Sequence, residues 1–296
     1  MPTATASLCA RDRNQTHHAR MGVTSPTKTP SAIVTGASAG LGLHVCRRLL
    51  GEGYSVTMLG RNPERLDQAS ATLAKEFDGK IVNTFAGDAC DSEAMNTLVE
   101  QHVAKFGSLD VLVNVVGRSD RGLLINSGAA ELESMFRDNV VSAWTCCRAA
   151  YDELKKSRGT IVNLGSLASR VAPRYLGGYV IAKHALVGFS RQLRMELEAD
   201  GIHVGVVCPG PIRRDDDQPI DRYETDKKAG VPATAAQPGG GAKLKGLPPE
   251  EVADAVLRCI QKRKIEIVLP PKVRALMAIN AVSPRLADWL LSKSTA

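Results

Sequence analysis

Thr35-Gly36-Ala37-Ser38-Ala39-Gly40-Leu41-Gly42 follows a β-branched run at 32–35 and leads straight into a helical pattern at about 41–51. Glycines are needed where a chain turns tightly and where a pyrophosphate must approach the main chain, and the helix that follows offers its N–H groups and positive dipole end to the phosphates. Between a first strand and a first helix, this loop reads as a dinucleotide cradle rather than a plain turn. The pattern then repeats along the chain. Strand-like runs lie at 55–59, 80–85, 109–113, 160–164, 202–207 and 265–269, with helical spacing at about 63–77, 92–106, 131–156, 179–199 and 249–263. Strands alternating with helices make βαβ units and a parallel sheet. The expected fold is α/β, a single Rossmann-type doubly wound domain with a seven-stranded parallel sheet and helices on both faces.

Composition narrows the function classes. No stretch of the 296 residues approaches the roughly 20 apolar residues of a membrane-spanning helix. The seven cysteines are an odd number with no C-x-x-C pair, which argues for reduced thiols and a cytoplasmic protein, and against a disulfide scaffold or a structural zinc. The net charge of +7 sits mostly at the ends: residues 1–30 carry +3 and residues 246–296 another +3, leaving the body nearly neutral. With aromatics at only 4%, no basic stripe with interleaved aromatics supports nucleic-acid binding. Residues 1–30 read as a disordered leader without a secretory h-region, and Met21 offers an alternative start. The domain is expected over 31–296, with a polar lid at 210–247 and a C-terminal tail at 271–292 of two short helices broken near Pro284. No metal site is expected.

Two features point to chemistry. Where an NAD site usually carries an acid for the ribose 2′-hydroxyl, this chain has Gly60 and Arg61. An arginine pairs with a 2′-phosphate, so Arg61 and Ser38 are expected to contact NADP(H), ahead of NAD(H); the alternative is a solvated loop arginine. Tyr179 and Lys183 form a Y-x-x-x-K pair on one helix face. The ammonium favours phenolate over phenol, lowering the tyrosine pKa from about 10 and making Tyr179 a proton donor to a carbonyl or acceptor from an alcohol. A second match, Tyr151/Lys155, falls late in a long helix and reads as a surface pair, whereas Tyr179 follows shortly after a strand whose carboxyl end carries Ser166.

Together these motifs resemble the short-chain dehydrogenases/reductases over about 31–270. The matching parts are the loop at 35–42, Asp88, Asn114-Val115-Val116-Gly117, Asn139, Ser166, Tyr179/Lys183 and Pro209-Gly210. The resemblance implies that Ser166 hydrogen-bonds the substrate oxygen and Tyr179 transfers the proton. Lys183 would hold the nicotinamide ribose and Asn139 a relay water. Gly36, Ser38, Ala39, Gly40, Leu41 and Gly42 would form the phosphate loop. Asp88 and Ala89 would lie by the adenine, Asn114 and Gly117 along the cleft, and Pro209, Gly210 and Ile212 by the nicotinamide. It further implies interconversion of a small-molecule ketone or aldehyde with its alcohol, and a homodimer or homotetramer through the helices at about 131–156 and 179–199. A non-catalytic NADP(H)-binding sensor is the alternative function, and peripheral membrane association the alternative to a purely cytoplasmic location. Three departures stand out: the valines of Asn114-Val115-Val116-Gly117, the run Pro211-Ile212-Arg213-Arg214 after Pro209-Gly210, and the charged Arg118-Ser119-Asp120-Arg121, in which Arg118 could hold an acidic substrate or sit in a salt bridge.

Overall fold

A computed structural model describes residues 29–77, 82–213, 230–232, 235 and 245–294. The leader, apart from its last two residues, and most of the lid lie outside the described residues. Seven strands form one all-parallel sheet in the order β3-β2-β1-β4-β5-β6-β7. They are β1 (Ser31–Thr35), β2 (Ser55–Gly60), β3 (Val82–Ala86), β4 (Val111–Asn114), β5 (Thr160–Leu164), β6 (His203–Pro209) and β7 (Glu266–Leu269). The order reverses between β1 and β4, and the crevice outside the strand ends at such a switch point is where open α/β sheets bind ligands.

Helices cover both faces because the strand side chains alternate. Ala32 and Val34 of β1 and Val111 and Val113 of β4 join a core with α1 (Gly40–Gly51), α2 (Pro63–Glu76) and α7 (Pro249–Gln261). Ile33 and Leu112 point the other way, into a core with α3 (Ser92–Phe106), α5 (Ser142–Ser157) and α6 (Gly178–Leu197). Strands buried on both faces read as continuous apolar runs, as these do. The tail forms α8 (Val273–Val282) and α9 (Pro284–Ser294), broken at Pro284 as the sequence indicates.

One expectation is corrected. The single helix read at 131–156 is two, α4 (Ala129–Phe136) and α5, joined by a π-helical turn at Arg137–Val141. The Asn139 side chain gives the reason. Its Nδ2 donates to the Met135 carbonyl at 2.9 Å, the acceptor that the Asn139 backbone N–H would use in an unbroken α-helix. Apolar periodicity is blind to a one-residue insertion of this kind, and such turns concentrate at functional sites.

Candidate active site

The carboxyl ends of the central strands open onto a cavity of about 1160 Å³. At one end lie the loop residues Gly36, Ser38, Ala39, Gly40, Leu41 and Gly42, with Arg61, Asp88 and Ala89. The backbone at Gly36 is left-handed (φ +64°), and a Cβ on Gly42 would stand 2.1 Å from the Gly36 carbonyl oxygen. These two positions therefore require glycine. A Cβ on Gly40 would meet nothing within 4 Å, so the space over the loop is open. The N-cap of α1 is Ala39, which has no side-chain acceptor to offer the first-turn N–H groups. The loop thus has the shape and polarity of a phosphate cradle. Ser38 approaches the end of β2, since a Cβ on Gly60 would lie 3.3 Å from Ser38 Oγ. Arg61 is exposed beside it, and Arg65, which the sequence reading missed, joins the wall. Asn62 Oδ1 accepts from the Arg65 backbone N–H at 2.7 Å, so this cap starts α2 at the mouth of the cavity. Asp88 Oδ1 accepts from the Cys90 N–H at 2.9 Å.

At the other end Ser166, Tyr179 and Lys183 share the wall with Gly117, Pro209, Gly210 and Ile212. Ser166 follows β5 directly and caps a 3₁₀ turn, Leu167–Ser169. Its Oγ accepts from the Ala168 N–H at 3.1 Å, which leaves the hydroxyl proton to be donated elsewhere. Lys183 is only 4% exposed, and its Nζ donates to the Leu164 carbonyl at 2.8 Å and stands 5.8 Å from the Tyr179 ring centroid. Burial pulls the Lys183 pKa down to about 8. Gly117 keeps this corner open: a Cβ there would lie 2.6 Å from Asn139 Oδ1 and 3.1 Å from Lys183 Nζ.

Two residues read from the sequence as part of the site are not on the cavity wall. Asn139 is fully buried behind Gly117; its Nδ2 donates to the carbonyls of Arg118 and Met135, both at 2.9 Å. Its Oδ1 has no hydrogen-bond partner and is the atom nearest the Gly117 Cβ position, beside Lys183 Nζ. Asn114 is a correction: expected along the cleft, it is buried in the sheet instead, donating to Asn163 Oδ1 at 2.8 Å and so bracing β4 against β5. The neighbouring valines pack apart, Val115 against one core and Val116 against the other, while both backbone N–H groups donate to Thr35 Oγ1. This braces the loop at 114–117 against β1.

Arg118 is committed to Asp138 at 2.8 Å and to Ser134 at 3.0 Å. Arg121 is buried on the cavity wall and donates to the Ala235 carbonyl at 2.8 Å, which holds that residue of the 210–247 segment against the wall. The wall also includes Val273, Leu276, Leu290 and Leu291 of the tail, whose place no local sequence signal could give. Tyr151 donates to Asp200 at 2.6 Å and Lys155 pairs with Asp200 at 2.8 Å, and none of the three is on the cavity wall. Burial pushes the thiol pKa values of Cys46, Cys146, Cys147 and Cys259 up, which disfavours the nucleophilic thiolate. Among the described residues no cluster of three or more His, Cys, Asp or Glu is placed to hold a metal, and no helix is long and apolar enough to cross a membrane.

With cradle, serine, tyrosine and lysine on one cavity, the comparison with known proteins is direct. The family described as short chain dehydrogenase matches residues 30–224. The chain belongs to that family of oxidoreductases. Among its relatives, the ketoacyl reductase HetN of Nostoc sp. is 26% identical over 87% of this chain and 86% of its own. The 3-oxoacyl-[acyl-carrier-protein] reductase FabG of Staphylococcus aureus is 32% identical over 63% of this chain and 76% of its own. Among solved structures, the alcohol dehydrogenase of Thermococcus sibiricus complexed with 5-hydroxy-NADP superposes with a TM-score of 0.66 at 26% identity. That match covers 81% of this chain and 95% of that one.

Proposed function

We propose that this short-chain dehydrogenase is an NADP(H)-dependent enzyme interconverting a small-molecule ketone or aldehyde with its alcohol. The observation that carries the reading is the joining of two groups on one cavity: Ser38, Arg61 and Arg65 at one end, and Ser166, Tyr179 and Lys183 at the other. Arg61 and Arg65 would pair with the 2′-phosphate, and no acid occupies 60–62 to repel it. The Thermococcus sibiricus relative, bound to an NADP derivative, supports the same preference.

NADPH supplies the hydride when bound; the protein supplies position and proton traffic. Ser166 donates its hydroxyl proton in a hydrogen bond to the substrate oxygen. Tyr179 gives its phenolic proton to that oxygen, or takes it back in the alcohol direction. The Lys183 ammonium stabilises the phenolate left behind, and its Nζ would hold the nicotinamide ribose. The unpartnered Asn139 Oδ1, beside Lys183, is suited to order the water that returns a proton to the pair.

Incubation of the protein and NADPH with a panel of ketones, aldehydes and quinones tests this reading. Oxidation of NADPH with at least one carbonyl compound is expected. Tight NADPH binding with no turnover on any of them would instead make the protein a sensor that kept the fold.

A further inference from the structure

The C-terminal hairpin of α8 and α9 has two faces, and one of them borders the cavity. On the inner face Val273, Leu276, Leu290 and Leu291 wall the cavity. On the outer face Val282, Leu286 and Trp289 are 89%, 46% and 52% exposed. Leu286, Trp289 and Lys293 are spaced i, i+3 and i+7 along α9, so they form one stripe, and Val282 ends the preceding helix. Lys293 Nζ stands 4.0 Å from the centroid of the Trp289 ring. The hairpin is net cationic: residues 271–296 hold Arg274, Arg285 and Lys293, together with Lys272 at the cavity rim, against the single acid Asp288. All four cations are exposed.

A tryptophan and aliphatic side chains flanked by cations match the boundary of a lipid bilayer, where apolar groups enter the acyl region and cations meet headgroup phosphates. The same charges argue against a second copy of this face as the occupant, since two hairpins would bring like charges together. An anionic lipid surface is the partner with complementary charge.

We propose that the α8–α9 hairpin docks the protein on an anionic lipid surface through Val282, Leu286, Trp289 and Lys293, and that an apolar carbonyl substrate passes from there to the cavity lined by the hairpin's other face. The substrate route rests on the carbonyl-reductase reading; the docking does not, and is measured without turnover.

The test is co-sedimentation of the full chain with vesicles of phosphatidylcholine, with and without phosphatidylglycerol. Binding is expected with phosphatidylglycerol only, and should weaken as salt is raised. Leu286→Ser with Trp289→Ser should lower vesicle affinity about tenfold or more, and Lys293→Glu about fivefold or more. All these variants should keep kcat/KM for a water-soluble ketone. Failure of the wild-type protein to sediment with anionic vesicles overturns the proposal, as does equal binding by the stripe variants. Loss of a self-associated state in those variants, with no change in vesicle binding, assigns the stripe to a second copy and also overturns it. Vesicle binding that tracks the stripe in a protein without carbonyl turnover would keep the docking and discard the reaction.

Discussion

Lys183 carries the clearest conflict between stability and function. Its pKa of about 8 in the folded chain lies below the 10.5 of the free side chain, so the folded state binds its proton less tightly. The resulting destabilisation, about 3 kcal/mol, is fully present below pH 8 and is relieved as pH rises from 8 towards 10.5. Lys183→Met removes it but leaves the Leu164 carbonyl without its donor, an offset of about 1–3 kcal/mol. The variant should melt no lower than wild type at pH 7 and up to a few degrees higher, with any gain shrinking above pH 8, and should lose activity. A lower Tm at pH 7 would show that the lysine stabilises this fold. At the other end of the cavity, Arg61→Ala with Arg65→Ala should weaken NADPH about tenfold or more and leave NADH nearly unchanged. Equal losses for both cofactors would remove the arginines from phosphate recognition.

The elements show how far a sequence reaches. Apolar and β-branched runs between helical stretches gave the seven strands to within a few residues; the signal is strongest in β1, β4, β5 and β6, which are buried throughout. The loop at 35–42 was legible because only glycine fits Gly36 and Gly42. Gly42→Ala makes this concrete: its Cβ would strike the Gly36 carbonyl at 2.1 Å, backbone against backbone. The variant should lose about 3 kcal/mol or more of stability and most cofactor affinity, measured by thermal melting and NADPH titration. A variant that melts and binds like wild type would mean that α1 does not press on the loop. The π-turn at Arg137–Val141 was not legible, because apolar periodicity carries no signal for the Asn139 side chain taking the Met135 carbonyl from its own backbone. Nor was the place of Asn114, whose partner Asn163 lies on the next strand. The tail residues on the cavity wall escaped for the same reason: their position is set by packing at long sequence separation.

For the whole molecule, the charge that first suggests a polyanionic partner belongs to the ends of the chain, and the body around the cavity is nearly neutral. Phe136 and Ile181 are exposed on α4 and α6, where they share a shallow groove with Leu132 and Val141. If the protein pairs through these helices, as its family resemblance suggests, Ile181→Arg should shift sedimentation towards a monomer; an unchanged profile would place the contact elsewhere or remove it. The central claim is that the two ends of the cavity act as one site, with cofactor held by the cradle and proton transfer performed by Tyr179. The most direct measurement is Tyr179→Phe, read as kcat for a reduced ketone beside the Kd for NADPH. The account predicts a kcat lower by about two orders of magnitude or more with NADPH affinity nearly intact. Unchanged turnover would contradict it.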